Sequence, residues 1–279
     1  MEKGKALNIF GVKLFYVLKK IMPFILIVFL CFLALNVDFS EDVGGAEIRV
    51  PQNYPSIQEA VNGASAGDTI LVAPGVYEEN VIVNKSLRIV GEATNTTIVD
   101  SGGFSVVSAN VSIENFTVRN SVYGIRVKNV ENVTIQKNIA TNNTFGIFLE
   151  NSSNCLIKNN TVTNNYGGHP DLRIGGGIYL RDSNSSKVIG NYLTKNINAI
   201  CLEKSHNNII IENEVVKNKE PVYGWGWGID LSDSNSNLID NNTCYSNPEG
   251  ITLYSCYNNT IKKHLLFDNW GCGIGIILS

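Results

Sequence analysis

Two carboxylates, Asp230 and Glu203, have the residue type and spacing that acid–base chemistry on a sugar needs. They belong to neighbouring units of an internal repeat and are offset by two residues, so their backbones are expected roughly 8 Å apart. Carboxyl groups at such a separation suit an inverting glycoside hydrolase, in which one protonates the leaving group and the other activates water. Arg181 and Tyr179, one unit before Glu203, would then orient or neutralise an acidic sugar.

A second set of candidates lies in two insertions of the repeat, residues 167–176 (GGHPDLRIGG) and 219–227 (KEPVYGWGW). Aromatic faces pack against the CH groups of sugar rings, so aromatic residues among glycines are typical of carbohydrate sites. The predicted sugar-contacting residues of the insertions are His169, Arg173, Tyr223, Trp225 and Trp227. The competing interpretation is that the aromatic side chains fold back and cover their own loop.

Structural charge pairing competes with the catalytic interpretation. Opposite charges on neighbouring strands form cross-strand pairs, and most exposed charges are structural. Asp230 differs, because its predicted neighbours above and below, Cys201 and Thr252, carry no positive charge. Elsewhere the charge alternates in sign at the fifth position of successive units: Lys128, Glu150, Arg181 and Glu203.

The elements that position these residues come from a repeat of 22 residues. Positions 2, 4, 12 and 17 of the unit are apolar, and residues two apart point to the same side of a strand. The pattern predicts three short strands per coil around a common interior, which is an all-β, right-handed parallel β-helix. Removing insertions of nine and seven residues makes every spacing 22 between the unit starts, which are Gly124, Gly146, Gly177, Ala199, Gly228 and Gly250.

Asparagine recurs at positions 15 and 20 of the unit, and glycine at position 1. Asparagine tolerates a left-handed backbone and its amide can bond to the coils above and below, so both positions are predicted to be left-handed corners with asparagine ladders. His264 is expected to break the first ladder. Glycine at position 1 is predicted to have a positive φ. The cysteines after Cys31 are predicted to be mostly buried, unpaired thiols.

The N-terminal part of the chain is predicted to target a membrane. Lysines precede an apolar stretch over residues 21–37. Positive charge before such a stretch predicts that residues 1–40 form a cytoplasmic basic segment and a signal peptide or signal anchor. The anchor is favoured, since no A-x-A cleavage site follows. The β-helix, residues 45–279, is therefore expected outside the cytoplasm, membrane-anchored or secreted.

The two ends of the β-helix are expected to differ from its regular coils, residues 102–279. In the N-terminal part, residues 47–100, the stretch 53–64 (NYPSIQEAVNGA) is predicted to form a helix, N-capped by Ser56, that covers the first coil. Residues 273–279 (GIGIILS) supply only the first strand of another coil. An uncovered parallel edge invites pairing, so the alternatives are a truncated lineage or end-on association with a partner.

The run over residues 56–92 (SIQEAVNGASAGDTILVAPGVYEENVIVNKSLRIVGE) and the glycine-initiated units resemble the right-handed β-helix proteins of the pectate-lyase-like superfamily. Within it, the chain most resembles the NosD-type and CASH (carbohydrate-binding and sugar hydrolase) repeat proteins. This resemblance implies the fold, which hosts lyases, hydrolases, epimerases, adhesins and maturation factors. Calcium or copper is implied by likeness alone. The acid clusters of the family's enzymes are missing, and the histidines are unclustered, so no metal site is predicted.

Composition narrows the function classes. A net charge of -3 without a basic run argues against nucleic acid as a partner. The preferred interpretation is an exported or membrane-anchored cell-surface protein that binds carbohydrate, such as an envelope glycan, through aromatic loops at one corner of the solenoid. The alternatives are a structural or adhesive envelope solenoid without catalysis, and a polysaccharide lyase, hydrolase or epimerase centred on Asp230.

Overall fold

A computed structural model describes residues 45–166, 175–219 and 224–277. The predicted membrane segment, residues 21–37, lies outside these ranges, as do three predicted site residues, His169, Arg173 and Tyr223. Among the residues in these ranges, none forms a helix with the length and hydrophobicity of a membrane span.

The described residues form a parallel β-solenoid in which successive coils contribute strands to three sheets. Sheet 1 has ten strands, numbered in chain order: β1 (Glu47–Val50), β2 (Thr69–Val72), β5 (Arg88–Gly91), β8 (Ser112–Glu114), β11 (Thr134–Gln136), β14 (Leu156–Lys158), β17 (Lys187–Ile189), β20 (Ile209–Ile211), β23 (Leu238–Asp240) and β26 (Thr260–Lys262). Sheet 2 has nine: β4 (Asn80–Val83), β7 (Gly103–Val106), β10 (Tyr123–Lys128), β13 (Phe145–Glu150), β16 (Gly176–Arg181), β19 (Ile200–Glu203), β22 (Trp227–Ser232), β25 (Glu249–Tyr254) and β28 (Ile274–Ile277). Sheet 3 also has nine: β3 (Gly75–Tyr77), β6 (Thr97–Asp100), β9 (Thr117–Arg119), β12 (Ile139–Thr141), β15 (Thr161–Thr163), β18 (Tyr192–Thr194), β21 (Glu214–Val216), β24 (Thr243–Tyr245) and β27 (Leu265–Phe267).

The core consists of apolar side chains stacked from coil to coil, as the repeat predicts. Strand register aligns position 2 of one unit with position 2 of the next, for example Ile178 with Ile200 and Ile200 with Ile229. All three of these isoleucines are buried. Because most strands bury alternate side chains in the same interior, the buried residues form one continuous hydrophobic core.

The asparagine ladders are present, and each buried amide joins three coils. Asn160 Oδ1 accepts from the backbone N and the Nδ2 of Asn138, at 2.9 and 3.2 Å. Its Nδ2 donates to Ile135 O and to Asn191 Oδ1, both at 3.0 Å. The predicted left-handed backbone is displaced by one residue, because the positive φ belongs to the residue before each ladder asparagine, such as Lys137.

His264 continues the ladder, so the predicted break is wrong. Its Nδ1 accepts from the backbone N of Asn242 at 3.2 Å, and its Nε2 lies 3.2 Å from Ile239 O. A neutral imidazole with one acceptor and one donor nitrogen therefore replaces the amide oxygen and nitrogen of asparagine.

The glycines at position 1 have another role than the predicted one. None of these five glycines has a positive φ. A β carbon at Gly146 would lie 2.7 Å from Val162 Cγ1 and 2.8 Å from Gly177 O. At Gly146 glycine is favoured because a β carbon would clash with the neighbouring coil, whereas the unit that starts at Ala199 accepts a methyl group at position 1.

Two further ladders explain the placement of two cysteines. At position 7, serine hydroxyls accept from the backbone N of the previous coil, and Cys256 Sγ does so for Ser234 N at 3.4 Å. At position 10, Cys155 donates its own backbone N to Ser186 Oγ at 3.1 Å. The five described cysteines are free thiols, three of them buried, as predicted.

Helix α1 (Ile57–Gly63) confirms the predicted helix and its N-cap, since the Ser56 hydroxyl accepts from Glu59 N at 3.1 Å. Its buried residues Ile57, Ala60 and Val61 belong to the same core as the first coils. Lys85 Nζ closes the C-terminal end by donating to three carbonyl oxygens, at 2.7 to 3.1 Å. That the helix acts as a cover for the first coil stays a prediction.

Candidate functional site

Sheet 2 has the longest strands, and its outer face carries the predicted acids. Alternation along each strand buries positions 2 and 4 and turns positions 3 and 5 outwards. Strand register aligns the position-3 residues of six coils in one row, here called the outer row: Arg126, Phe148, Tyr179, Cys201, Asp230 and Thr252.

Glu203 is held as a carboxylate by two residues of the preceding coil. Its Oε2 accepts from the Tyr179 hydroxyl at 2.7 Å and from Arg181 Nε at 2.9 Å. Burial alone would raise the pKa of Glu203, but the hydrogen bonds from Tyr179 and Arg181 outweigh it and lower this pKa. The structure thus brings three predicted site residues together, with Glu203 already engaged by its neighbours.

Asp230 has the opposite electrostatic environment. Its Oδ1 accepts from Thr252 Oγ1 at 2.5 Å. Burial raises the pKa of Asp230, and the Thr252 hydrogen bond offsets only part of that rise. Cys201 lies beside Asp230 in strand register, and burial followed by the nearby Asp230 and Glu203 charges raises the pKa of its thiol well above the usual value. Because the thiolate is the nucleophilic form of cysteine, a raised pKa argues against Cys201 as a nucleophile.

Cross-strand ion pairs account for the alternating charges at position 5. Glu150 accepts from Arg126 and lies 3.7 Å from Lys128 Nζ. The Arg181–Glu203 contact continues the same pattern one coil further on. These charges therefore pair with each other across neighbouring strands, as the structural interpretation expects. Asp230 takes no part in these ion pairs and is hydrogen-bonded to Thr252 instead.

An aromatic cluster on this face was not recognised from the sequence. Tyr123, Phe145, Phe148 and Tyr179 have ring centroids 5.0 to 5.6 Å apart. Arg181 lies over two of the rings. Phe145 and Phe148 are only 5% and 2% exposed, so these rings are packed and unavailable for stacking on a ligand.

The corner between sheets 3 and 2, positions 19–22 of the unit, is called the insertion corner because both insertions interrupt the repeat there. Trp225 is 54% exposed there. Trp227 is half-buried at the start of β22, and its backbone N donates to Asn198 Oδ1 at 3.2 Å. Of the two predicted tryptophans, Trp225 is therefore a surface residue and Trp227 is the first residue of a strand.

Trp270 adds a surface aromatic residue to this corner that the sequence did not indicate. Trp270 is 68% exposed, which is the highest exposure among the large apolar residues that the structure describes. Lys219 Nζ lies 4.4 Å from the centroid of its ring. A β carbon at Gly224 would approach the Trp270 ring to 3.6 Å, so the residue next to Trp225 lies against Trp270.

A cavity of about 440 Å³ opens at the same corner. This volume lies within the range of small-molecule sites. Its lining combines aromatic and basic side chains with one serine: Tyr166, Lys195, Lys217, Lys219, Ser246 and Trp270.

Metal ligands are not gathered in the part of the chain that the structure describes. No group of three or more His, Cys, Asp or Glu residues there could hold a metal ion. His206 Nδ1 accepts from Asn235 N at 3.0 Å, and both ring nitrogens of His264 are occupied by the ladder. Copper prefers clustered imidazole or sulfur ligands, so these residues do not fit a copper site.

Comparison with protein families gives one match over most of the chain. The family model described as "Periplasmic copper-binding protein (NosD)" matches residues 61–228 and 226–279. A cell surface glycoprotein of Methanothermus fervidus is 31% identical over 109 residues, which are 36% of this chain and 18% of that protein. The chain therefore spans less than a fifth of the length of this curated relative.

Solved structures with the same fold include a phage protein and a pectate lyase. ORF18 of Geobacillus virus E2 has a TM-score of 0.61 and 16% identity, covering 78% of this chain and 55% of that one. Pectate lyase Pel9A has a TM-score of 0.56 and 14% identity, covering 78% of this chain and 73% of that one. At such low identity these likenesses show the right-handed parallel β-helix fold alone.

Proposed function

The chain belongs to the NosD family of β-helix proteins, and on that premise we propose that it is a cell-surface protein that binds carbohydrate at its insertion corner. The family description and the cell-surface relative both point to an extracytoplasmic location. Copper is left out of the proposal because both described histidines, His206 and His264, are hydrogen-bonded to the backbone of neighbouring coils.

The observation that carries the proposal is the pair of exposed tryptophans at the insertion corner, of which Trp270 lines the cavity. Trp225 and Trp270 are 54% and 68% exposed, and Gly224 lies against the Trp270 ring. Exposing large aromatic side chains to water is unfavourable for a free protein, and clustered exposed aromatics mark interaction sites. Indole rings bind the apolar face of a sugar and leave its hydroxyls hydrated.

Sheet 2 supports the proposal by contrast. Its aromatic cluster has four rings, but Phe145 and Phe148 are buried and leave no exposed face for a sugar. The exposed tryptophans therefore favour the insertion corner over the outer row as the place where a sugar would bind.

A glycan array with the full chain tests the proposal. We expect binding to at least one polysaccharide class, and a loss of about tenfold or more in affinity for the Trp225→Ala/Trp270→Ala variant. Tyr257→Ala is the matched control, since Tyr257 is 64% exposed away from this corner. Absence of binding to every glycan would favour a structural envelope solenoid instead.

A second candidate function, polysaccharide cleavage or epimerisation, is favoured by the two acids of sheet 2. The raised pKa of Asp230, caused first by burial, and the lowered pKa of Glu203 are the division of roles that an acid and a base need. Asp230→Asn keeps an oxygen for Thr252 and removes the acid. An enzyme would lose turnover of the bound glycan in this variant and keep its affinity, whereas a binding protein would show no turnover before or after the change.

A further inference from the structure

The cavity at the insertion corner has an unbalanced charge. Three of its six lining residues are lysines, Lys195, Lys217 and Lys219, and none is an acid. The chain as a whole carries a net charge of -3, so this basic lining is local. Among the ion pairs of the described residues, none includes Lys195 or Lys217.

Lys195 and Lys217 place two positive charges on adjacent coils. The backbone N of Lys195 donates to Lys217 O at 3.2 Å, so the two residues lie on adjacent coils, ~4.8 Å apart along the axis. Like charges at neighbouring corner positions repel each other. Both lysines are exposed. An anion bound between them would remove this repulsion.

The backbone does not require lysine at these two positions. Lys195 and Lys217 have φ angles of 53° and 54° at position 19. The same corner position of earlier coils has asparagine, Asn142 and Asn164, with φ of 54° and 55°. Since asparagine satisfies the left-handed turn, the positive charge is an additional property of the two coils that line the cavity.

Aromatic residues accompany the lysines in the lining. Tyr166 belongs to a coil before the lysines and Trp270 to a coil after them, and Lys219 Nζ lies 4.4 Å from the Trp270 ring. Asp268 occupies position 19 of the last unit, with a φ of 53°, and does not line the cavity. The lining thus combines aromatic faces that could contact sugars with ammonium groups that could pair with anions. Lys195 and Lys217 are spaced one coil apart along the axis, as charged groups are spaced along an acidic polymer.

We propose that this cavity binds an acidic polysaccharide, with Lys195, Lys217 and Lys219 pairing with successive carboxylate or sulfate groups while Trp270 packs against a sugar ring. This assignment rests on the proposed carbohydrate-binding function and names its ligand class. Carboxylates and sulfates share the anionic chemistry that the lysines recognise.

The test compares charged and neutral glycans on the full chain. The probes are polygalacturonate and hyaluronate as carboxylated polymers, dextran sulfate as a sulfated one, and methyl-esterified polygalacturonate and dextran as neutral counterparts. The variant Lys195→Asn/Lys217→Asn copies the asparagines of the earlier coils. The matched control Lys137→Asn/Lys263→Asn removes two lysines that also have left-handed backbones but lie at another corner.

We expect charged polymers alone to bind, with an affinity that falls as salt is added. The Lys195/Lys217 variant should bind about tenfold or more weakly, and the control variant should bind like the wild type. Preference for the carboxylated or the sulfated polymers identifies the anion. Equal binding of neutral counterparts, or unchanged binding by the Lys195/Lys217 variant, would overturn the assignment while carbohydrate binding stands. No binding to any glycan would overturn both.

Discussion

Two corners of the solenoid obey the same structural rule and have different surfaces. The plain corner, positions 14–15 between sheets 1 and 3, and the insertion corner each place a left-handed residue before a buried ladder asparagine. The plain corner passes directly into the next strand in all six regular coils. The insertion corner carries both insertions, the exposed tryptophans and the basic cavity.

The difference separates what the fold needs from what it does not. Because the ladder rule is satisfied at both corners, it does not explain the exposed tryptophans of the insertion corner or its two lysines on adjacent coils, Lys195 and Lys217. Those residues add exposed apolar surface and like-charge repulsion, which are costs for an isolated protein. We infer that a ligand offsets these costs at the insertion corner.

Removing a ladder amide should have the largest effect, and an equal one at both corners. Asn191→Ala at the plain corner and Asn196→Ala at the insertion corner each leave buried donors and acceptors of three coils without partners. We expect each variant to lose about 2–4 kcal/mol of unfolding free energy in urea titrations. A much smaller loss at one corner would show that the two ladders are not equivalent.

A methyl group at the exit of the insertion corner should have the next largest effect. In Gly146→Ala the added carbon meets Val162 and Gly177 O, so the coils must shift. We expect a loss of about 1–3 kcal/mol in the same urea assay. Gly67→Ala provides a comparison, because a β carbon there meets nothing within 4 Å and only the positive φ opposes it. A fully tolerated Gly146→Ala would contradict the packing explanation of position 1.

A smaller, pH-dependent effect is expected at the plain corner from His264. Burial lowers the pKa of this imidazole in the folded protein. The stability that neutral His264 contributes to the ladder is therefore complete above the ordinary histidine pKa, and it is lost as the pH falls through the lowered pKa of the folded state. His264→Asn should remove this dependence. Between pH 7.5 and 5, the wild type should lose more stability than the variant, by about 1 kcal/mol or less. Parallel pH profiles would mean that protonated His264 is tolerated in the ladder.

The smallest effect is expected from surface lysines at the plain corner. Lys137→Asn/Lys263→Asn keeps residues that tolerate left-handed backbone, so the unfolding free energy should change by no more than about 0.5 kcal/mol. A loss of several kcal/mol would show that lysine at these turns has a structural role, and the interpretation of Lys195 and Lys217 would weaken with it.

The sequence predicts the solenoid well because its period and its apolar positions report directly which side chains face inwards. The same pattern located the ladders but misplaced the left-handed residue by one, since periodicity does not distinguish the corner residue from the amide that follows it. Cys155 and Cys256 occupy ladder positions because a thiol can replace a small side chain there, which spacing between cysteines does not reveal.

The candidate site was less predictable. Arg181 and Glu203 were chosen for chemistry and prove to pair with each other, whereas Asp230 was singled out correctly as an acid without an ionic partner in its row. Trp270 and the lysines were overlooked because positions 19 and 21 show no repeated residue type. Only the folded coils bring Tyr166, Lys195, Lys217 and Trp270 to one cavity.

The most direct test of the insertion corner as the ligand site is hydrogen exchange of the full chain with and without the glycan that binds best in the array. Backbone amides around Lys217, Lys219 and Trp270 should become protected, while those of the plain corner around Lys137 and Lys263 should exchange unchanged. Protection confined to the outer row around Asp230, or to the plain corner, would contradict the account.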